Sequence, residues 1–155
     1  MTTNKHFSEI KAMFESLVPL LKELNAKLDE VSAGHVRMRV PYHQSCVGDP
    51  TTGVVHTAYI TTVLDTCFGA AVMAQLGEWT QIATVDLRVD FLGTSTPGAD
   101  LLIEANCYRL KRNLAFIRGR AFHEDGDDDV ASATGTFIVG QAGTGPLTSK
   151  SEARS

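Results

Sequence analysis

The feature that most constrains the fold is a stretch of 19 almost uncharged residues, Ala58–Leu76. Its one charged residue is Asp65, and its alanines favour a helix. A helix that is apolar on nearly every side must be covered on nearly every side by the rest of the chain. The sequence therefore predicts a central, enclosed helix. Within it an ionised carboxylate is costly unless it is paired or hydrogen-bonded.

The residues that follow alternate between apolar and polar side chains, which is the period of a β-strand. In the first run, Val85 and Leu87 fall on one face and Thr84 on the other. Consecutive strands on short connections are antiparallel. With a further strand at His35–Val40, this order predicts an α+β fold in which a curved antiparallel sheet wraps around the central helix. The four runs are Ile82–Leu92, Leu101–Leu110, Leu114–His123 and Val130–Val139.

The chain before the first strand carries leucines and other apolar residues at spacings of three and four, which predicts an amphipathic helix from about Phe7 to Asp29. Pro19 predicts a break near Val18. The polar, glycine-rich end predicts a disordered tail. The predicted organisation is an N-terminal helix over 1–30, the sheet-and-helix domain over 31–140 and a tail over 141–155.

Composition narrows the functional classes. The 155 residues suit one domain, and the net charge of −4 argues against a nucleic-acid partner. Three widely spaced cysteines suggest neither a disulfide framework nor a metal site, and they suit a reducing compartment. The N-terminus lacks the apolar core of a signal peptide, and no run approaches the roughly 20 apolar residues that span a bilayer. We therefore expect a soluble, cytoplasmic protein without a membrane partner.

The loop before the helix suggests an anion-stabilising site. The backbone N–H of Thr57 is expected among the unpaired donors at the helix start, where the helix dipole also favours negative charge. Asp65 follows eight residues later, or roughly 12 Å along the axis. One helix therefore cannot bring both groups to one carbonyl. If they act together, two protomers must pair their helices antiparallel and share the site.

These segments resemble the hotdog-fold acyl-CoA thioesterases, in the phenylacetyl-CoA thioesterase branch. The run Gly53-Val54-Val55-His56-Thr57-Ala58, followed by Val63-Leu64-Asp65-Thr66 and Gly69, is similar to the family's HGG…LDT…G signature. The run Thr84–Leu92 is similar to its SVDLNVxFLRP strand. The resemblance extends over about Val36 to Val139 and implies a hotdog fold.

The resemblance implies the following roles. Asp65 is the nucleophile or general base against the thioester, and the N–H of Thr57 from the partner chain polarises its carbonyl. His56 shapes the loop and contacts the thioester region. Thr84 positions water or the carboxylate. Each residue also has a purely structural alternative: Asp65 as a carboxylate that faces a crevice or caps a loop, His56 as a satisfied loop histidine and Thr84 as an ordinary strand threonine.

The sequence departs from the family in the helix-start loop. Thr57 and Ala58 stand where the family has two glycines, and Ala58 is thus a candidate contact for substrate. A β-branched residue fits badly if the loop needs a positive φ there. Pro50 stands where the family has an asparagine, which leaves Asp49 as the nearest polar candidate for binding substrate.

Positive charge gathers around one predicted hairpin. Five basic residues could bind the phosphates of coenzyme A, although alternate residues of a strand face water in any case. The three nearest the turn are the candidate contacts. The five are Arg109, Lys111, Arg112, Arg118 and Arg120.

The sequence thus predicts hydrolysis of an acyl-CoA by a homodimer or a dimer of dimers, the larger assembly being common in the resembled family. No metal or organic cofactor is required. The alternatives are a non-catalytic hotdog module that binds acyl-CoA and a hotdog hydratase. The acyl group is left open, with four unranked candidates for its pocket: Phe14, Tyr59, Met73 and Trp79.

Overall fold

The computed structural model describes residues 2–126 and 128–140, with side chains from residue 6 onward. Its main element is a six-stranded antiparallel sheet in the order β1-β2-β6-β7-β8-β5 that curves around helix α3. A separate two-stranded ribbon, β3-β4, leads into that helix. The elements are α1 (Thr2–Leu17), α2 (Pro19–Glu23), β1 (Lys27–Ser32), β2 (His35–Val40), β3 (Val47–Asp49), β4 (Val54–Val55), α3 (Thr57–Leu76), β5 (Ile82–Phe91), β6 (Leu101–Lys111), β7 (Leu114–Phe122) and β8 (Asp129–Val139).

The predicted central helix and the four strands after it are confirmed to within a residue or two. Helix α3 begins at Thr57 and ends at Leu76, and Gly77 after it adopts the left-handed conformation that glycine tolerates. The predicted tail over 141–155 lies outside the described residues.

The inner face of the sheet is built from small residues that allow α3 to approach closely. The ring of Phe68, which is fully buried, packs against Gly119 of β7 and Gly135 of β8. A Cβ atom on Gly119 would collide with the Phe68 ring and with the backbone oxygen of Glu104. The two glycines therefore make the space that the aromatic ring fills.

The N-terminal helix is shorter than predicted. Its break at Val18 is confirmed, but α2 ends at Glu23 and residues 27–32 form strand β1. Asn25 takes a φ of +50°, and the N–H of Ala26 donates to the carbonyl of Leu21. This left-handed asparagine ends the helix. Leu28, which continues the helical spacing in sequence, is instead buried on a strand.

The alternation in β5 is interrupted by a bulge at Val85. Thr84 pairs with Phe137 and Asp86 pairs with Thr136, so Val85 has no partner of its own in β8. The extra residue shifts the phase of the strand. Thr84 therefore shares the inner face with Leu87, which corrects the sequence prediction that places the two on opposite faces.

By length and composition, α3 is apolar enough to cross a membrane, contrary to the sequence expectation. In the fold, 61% of the most apolar 18-residue stretch of α3 is buried. The sheet supplies the cover that the sequence requires for this helix. The cover is incomplete on one side, where the candidate site lies.

Candidate active site

Asp65 and Thr84 form the centre of the site. The hydroxyl of Thr84 donates to Oδ1 of Asp65 across 2.8 Å. No other hydrogen-bond partner of this carboxylate is found among the described residues. Asp65 is only half-buried, on the side of α3 that faces β5. Its negative charge is thus neither enclosed in a dry core nor paired with a cation, and Oδ2 is left for another molecule.

The carboxylate opens onto a cavity of about 1530 Å³ between α3, α1, β5 and β8. Much of its wall is apolar, and three of the four candidate acyl contacts line it, namely Phe14, Met73 and Trp79. Tyr59 does not line the cavity in the structure. The Tyr59 hydroxyl is buried elsewhere, and burial raises its pKa. A concave apolar pocket with a few polar groups is the usual form of a small-molecule site.

A second group of residues gathers at the start of α3. His56 is the residue before the helix, and its Nδ1 accepts a hydrogen bond of 3.0 Å from the N–H of Ala58. In a neutral ring this assigns the proton to Nε2, which is then a donor. The N–H of Thr57 has no acceptor among the described residues. The helix start therefore offers a backbone donor together with the positive end of the helix dipole.

The substitutions at the two glycine positions leave this backbone intact. Neither Thr57 nor Ala58 has a positive φ. Both residues belong to the first turn of the helix, where any L-residue except proline keeps its N–H donor. The exposed side chains of Thr57 and Ala58 narrow the approach without removing the donor.

The loop before the helix is held by contacts that the sequence did not suggest. The N–H of Val55 donates to the hydroxyl of Ser95 across 2.8 Å, and Ser95 is almost fully buried. The hydroxyl of Tyr42 donates to the carbonyl of Gly53, and the N–H of His56 donates to that of Cys46. These partners are distant in sequence and carry no motif. Together they fix the position of the Thr57 N–H.

Asp49 has a local role in the structure. Its carboxylate accepts hydrogen bonds from the backbone and hydroxyl of Thr51 and from the hydroxyl of Thr52. The Thr51 hydroxyl, first among these donors, lowers the pKa of Asp49. The carboxylate thus forms the turn that leads into β4. Contact of Asp49 with a substrate stays a prediction.

The predicted group of five basic residues is divided in the structure. Arg120 pairs with Glu104 and Asp129, and the guanidinium of Arg118 lies over the ring of Tyr108. Arg112 takes a φ of +56° in the β6–β7 turn and lines the cavity. Arg109 and Lys111 do not line it but are exposed nearby on β6. Within the described residues, none of these last three has a carboxylate partner.

Within one chain the site consists of two separate halves. Thr57 and Asp65 lie on the same helix, eight residues apart, which is about 12 Å. The fold therefore brings Asp65 and Thr84 together but does not bring His56 or Thr57 to them. In the described part of the chain, no cluster of three or more acidic, histidine or cysteine side chains could hold a metal ion.

Comparison with known proteins agrees with this architecture. The family model described as the thioesterase superfamily matches residues 52–130, about half of the chain. A protein of Halobacterium salinarum, named provisionally as an esterase, is 33% identical over 94 residues. These residues are 59% of this chain and 61% of that relative, so the chain spans less than two thirds of the relative's length.

Solved structures share the hotdog fold. A protein from Pseudomonas aeruginosa is 30% identical, with a TM-score of 0.75 over 86% of this chain and 98% of its own. A hypothetical thioesterase from Streptococcus pneumoniae, solved with coenzyme A, has a TM-score of 0.66 over 74% of this chain and 88% of its own, at 21% identity. Because the family model matches about half of the chain, the chain belongs to the thioesterase superfamily.

Proposed function

We propose that this protein hydrolyses an acyl-CoA to a carboxylic acid and free coenzyme A. The observation that carries the proposal is the Asp65 carboxylate, held by Thr84 at the mouth of an apolar cavity. A carboxylate with one bonded and one free oxygen can act on a carbonyl carbon in front of it. The cavity beside it accepts an apolar group attached to that carbonyl.

The proposed chemistry uses only groups of the protein and one water. Asp65 either attacks the thioester carbon through Oδ2 or removes a proton from a water that attacks it. In both routes the carbon–sulfur bond breaks and coenzyme A leaves as the thiolate, which takes up a proton. In the first route, water then hydrolyses the acyl–Asp65 anhydride. Thr84 orients the carboxylate in either case.

The oxyanion is stabilised in this proposal by a second subunit. The N–H of Thr57 from the partner would donate to the carbonyl oxygen, with the His56 Nε2–H nearby. Removal of one such donor typically lowers kcat by a factor of about 10²–10³. Because Thr57 and Asp65 are too far apart on one helix, the partner's helix start must reach Asp65.

Two surfaces of the chain support a dimer. Strand β5 is an edge strand, and it carries the exposed apolar residues Val85 and Phe91. An open edge of this kind readily pairs with another chain. On α3, Thr62 and Thr66 bond their hydroxyls back to carbonyls of the helix itself. This face therefore presents small side chains, which allow a second helix to approach closely.

Coenzyme A is the proposed carrier because cations that have no carboxylate partner in the described part of the chain lie near the cavity. Arg112 lines the cavity, and Arg109 and Lys111 are exposed on the strand of the same hairpin that leads into Arg112. Phosphates bind such groups well. The relative from Streptococcus pneumoniae, solved with coenzyme A, supports the same carrier. We also infer a cytoplasmic location, because the three buried cysteines are free thiols.

The first test is an assay for released thiol with a panel of acyl-CoAs. Asp65→Asn should lower kcat by at least about 10²–10⁴, the range for a lost acid–base group. Asp125→Asn removes an exposed carboxylate from a turn outside the site and should leave kcat unchanged. Undiminished hydrolysis by Asp65→Asn would contradict the role of Asp65. Binding of acyl-CoA by the wild-type protein without any hydrolysis would favour the non-catalytic alternative.

The shared site is tested by mixing two inactive variants. Asp65→Asn removes the carboxylate, and Thr57→Pro removes the N–H at a helix position that tolerates proline. A mixed dimer contains one site with both defects and one site with neither. Mixing after subunit exchange should therefore restore up to about a quarter of wild-type activity, since half of the dimers are mixed and each has one intact site. No recovery between two folded, dimeric variants would contradict a site formed by two chains.

A further inference from the structure

The N-terminal helix α1 forms the far end of the cavity that begins at Asp65. Phe14 of α1 and Trp79, which follows α3, both line this cavity, and their ring centroids lie 6.0 Å apart. We propose that these two rings close the end of the acyl pocket and so limit the length of the acyl chain. The cavity then takes an unbranched apolar chain of medium length. This inference rests on the proposed acyl-CoA hydrolysis and specifies its substrate.

The length of the cavity follows from the face of α3 that lines it. Asp65, Gly69 and Met73 stand four residues apart and all line the cavity, so they form one stripe along the helix. From Asp65 to Met73 the stripe is about 12 Å long. An extended decanoyl chain has about this length. An acetyl group would leave most of the stripe uncovered.

Gly69 is the middle residue of this stripe, where side chains of β5, β8 and α1 come close to the helix. A Cβ atom at Gly69 would lie 3.4 Å from Cδ1 of Ile82 and 4.0 Å from Cζ of Phe14. A larger side chain would therefore project between β5 and α1, across the route from Asp65 to Trp79. The missing side chain allows Ile82, Phe137 and Phe14 to pack closely against α3 where they border the cavity.

The far end is fixed rather than loosely placed. Phe14 is 5% exposed, and the neighbouring Glu15 carboxylate accepts a hydrogen bond of 2.8 Å from the N–H of Leu28 in β1. The first half of α1 lies near the end of α3, since His6 approaches Gly77. Helix α1 is thus anchored at several points across the cavity.

The chemistry of the wall determines the kind of acyl group. The charged residues that line the described cavity are Asp65 and Arg112. The residues around Phe14 include Met73 and Val18, which are apolar. Arg112 lies on a different side of the cavity, beside the strand ends, since the N–H of Val139 donates to the carbonyl of Asn113 and that of Gly140 to the carbonyl of Gln81. A charge placed against the side formed by Phe14, Met73 and Val18 would lose its hydration without gaining a partner, so an uncharged hydrocarbon chain fits this side best.

The first experiment measures kcat/KM for acetyl-, phenylacetyl-, decanoyl- and palmitoyl-CoA. We expect decanoyl-CoA to exceed acetyl-CoA by at least about tenfold, since each methylene in an apolar pocket contributes to discrimination. Phenylacetyl-CoA, which is too short to reach Trp79, should lie between them. Equal values for acetyl- and decanoyl-CoA, or a maximum at phenylacetyl-CoA, would overturn the length assignment.

The second experiment does not depend on catalysis. Trp79 is the single tryptophan of the chain, so its fluorescence reports on the far end of the cavity. Thioether analogues, which cannot be hydrolysed, are titrated into the wild-type protein. The decanoyl analogue should shift the emission of Trp79, whereas the acetyl analogue and coenzyme A alone should not. Saturable binding of the decanoyl analogue without a shift would overturn the proposal.

A matched pair of variants tests the end wall. Phe14→Ala should raise the ratio of kcat/KM for palmitoyl- over decanoyl-CoA by about tenfold, because the shortened wall admits a longer chain. Leu17→Ala changes an exposed leucine of the same helix that does not line the cavity, and it should leave the ratio unchanged. An unchanged ratio in a folded Phe14→Ala protein would overturn the role of Phe14. If the alanine variant does not fold, Phe14→Leu replaces it in the same measurement.

The outcomes separate this inference from the proposed function. If the wild-type protein hydrolyses no acyl-CoA, the proposed function fails, and the Trp79 titration still decides whether the cavity binds a medium-length chain. If the protein hydrolyses all acyl-CoAs equally and Trp79 does not respond, the chain-length assignment fails and the proposed function stands.

Discussion

The two sides of helix α3 differ in how they use the space left by glycine. On the closed side, Phe68 fills the space above Gly119 and Gly135, and no part of its side chain is exposed. On the open side, Gly69 lies one turn from Asp65 and lines the cavity, with Ile82 and Phe14 close by. One helix therefore carries the packing on one side and the chemistry on the other. Changes on the two sides should have different consequences.

The largest effect should come from the closed side. Phe68→Ala removes a fully buried ring and should lower the free energy of unfolding by about 3–5 kcal/mol. The matched change Leu17→Ala, at a leucine that is 56% exposed, should alter it by no more than about 0.5 kcal/mol. Chemical denaturation of both variants measures the difference. A small loss for Phe68→Ala would mean that the closed side is not the stabilising side.

An intermediate effect is expected at Thr84, which should affect activity and not stability. Thr84→Val keeps the shape of the side chain but removes the hydrogen bond to Asp65. We expect kcat to fall by about tenfold, or about 1.4 kcal/mol in the barrier, with the melting temperature nearly unchanged because the residue is exposed. Thr84→Ser restores the donor and should recover most of the activity. Equal activity of the valine and serine variants would contradict a role for the Thr84 hydroxyl in the site.

The smallest effect, at Gly69, is seen by making one glycine-to-alanine substitution on each side of the helix. Gly69→Ala fits beside Ile82 and improves helix propensity, so it should stabilise the protein by up to about 1 kcal/mol while slowing hydrolysis of medium-length acyl-CoAs. Gly119→Ala collides with Phe68 and the backbone of Glu104, and it should destabilise by about 1–3 kcal/mol. Thermal unfolding of both variants provides the measurement. A change in stability of the same sign in both variants would show that the two sides of the helix do not differ as described.

Much of the fold could be predicted because its elements have clear periods. Strands β6, β7 and β8 and helix α3 agree with their sequence patterns, and the break at Val18 follows from Pro19. The end of the N-terminal helix could not be predicted from spacing, since Leu24 and Leu28 continue the helical period. Asn25 is the stop signal that was available, through its tolerance of the left-handed conformation.

The site could be predicted only in part. The apolar helix and its start pointed to Asp65 and the Thr57 N–H, and the resemblance added His56 and Thr84; the structure joins Asp65 to Thr84. Ser95 and Tyr42, which hold the loop before α3, could not be found because their partners lie 40 and 11 residues away. Nothing in the local sequence of either residue distinguishes it from an ordinary loop position.

By itself, the sequence determined that an apolar helix must be enclosed and that the strands after it must alternate, because both are consequences of local period. The tertiary structure decided which side of that helix stays open. It did so through a bulge at Val85 that turns Thr84 inward and through the placement of α1 across the cavity. Both depend on contacts between residues far apart in the chain, and such contacts leave no local periodicity to read.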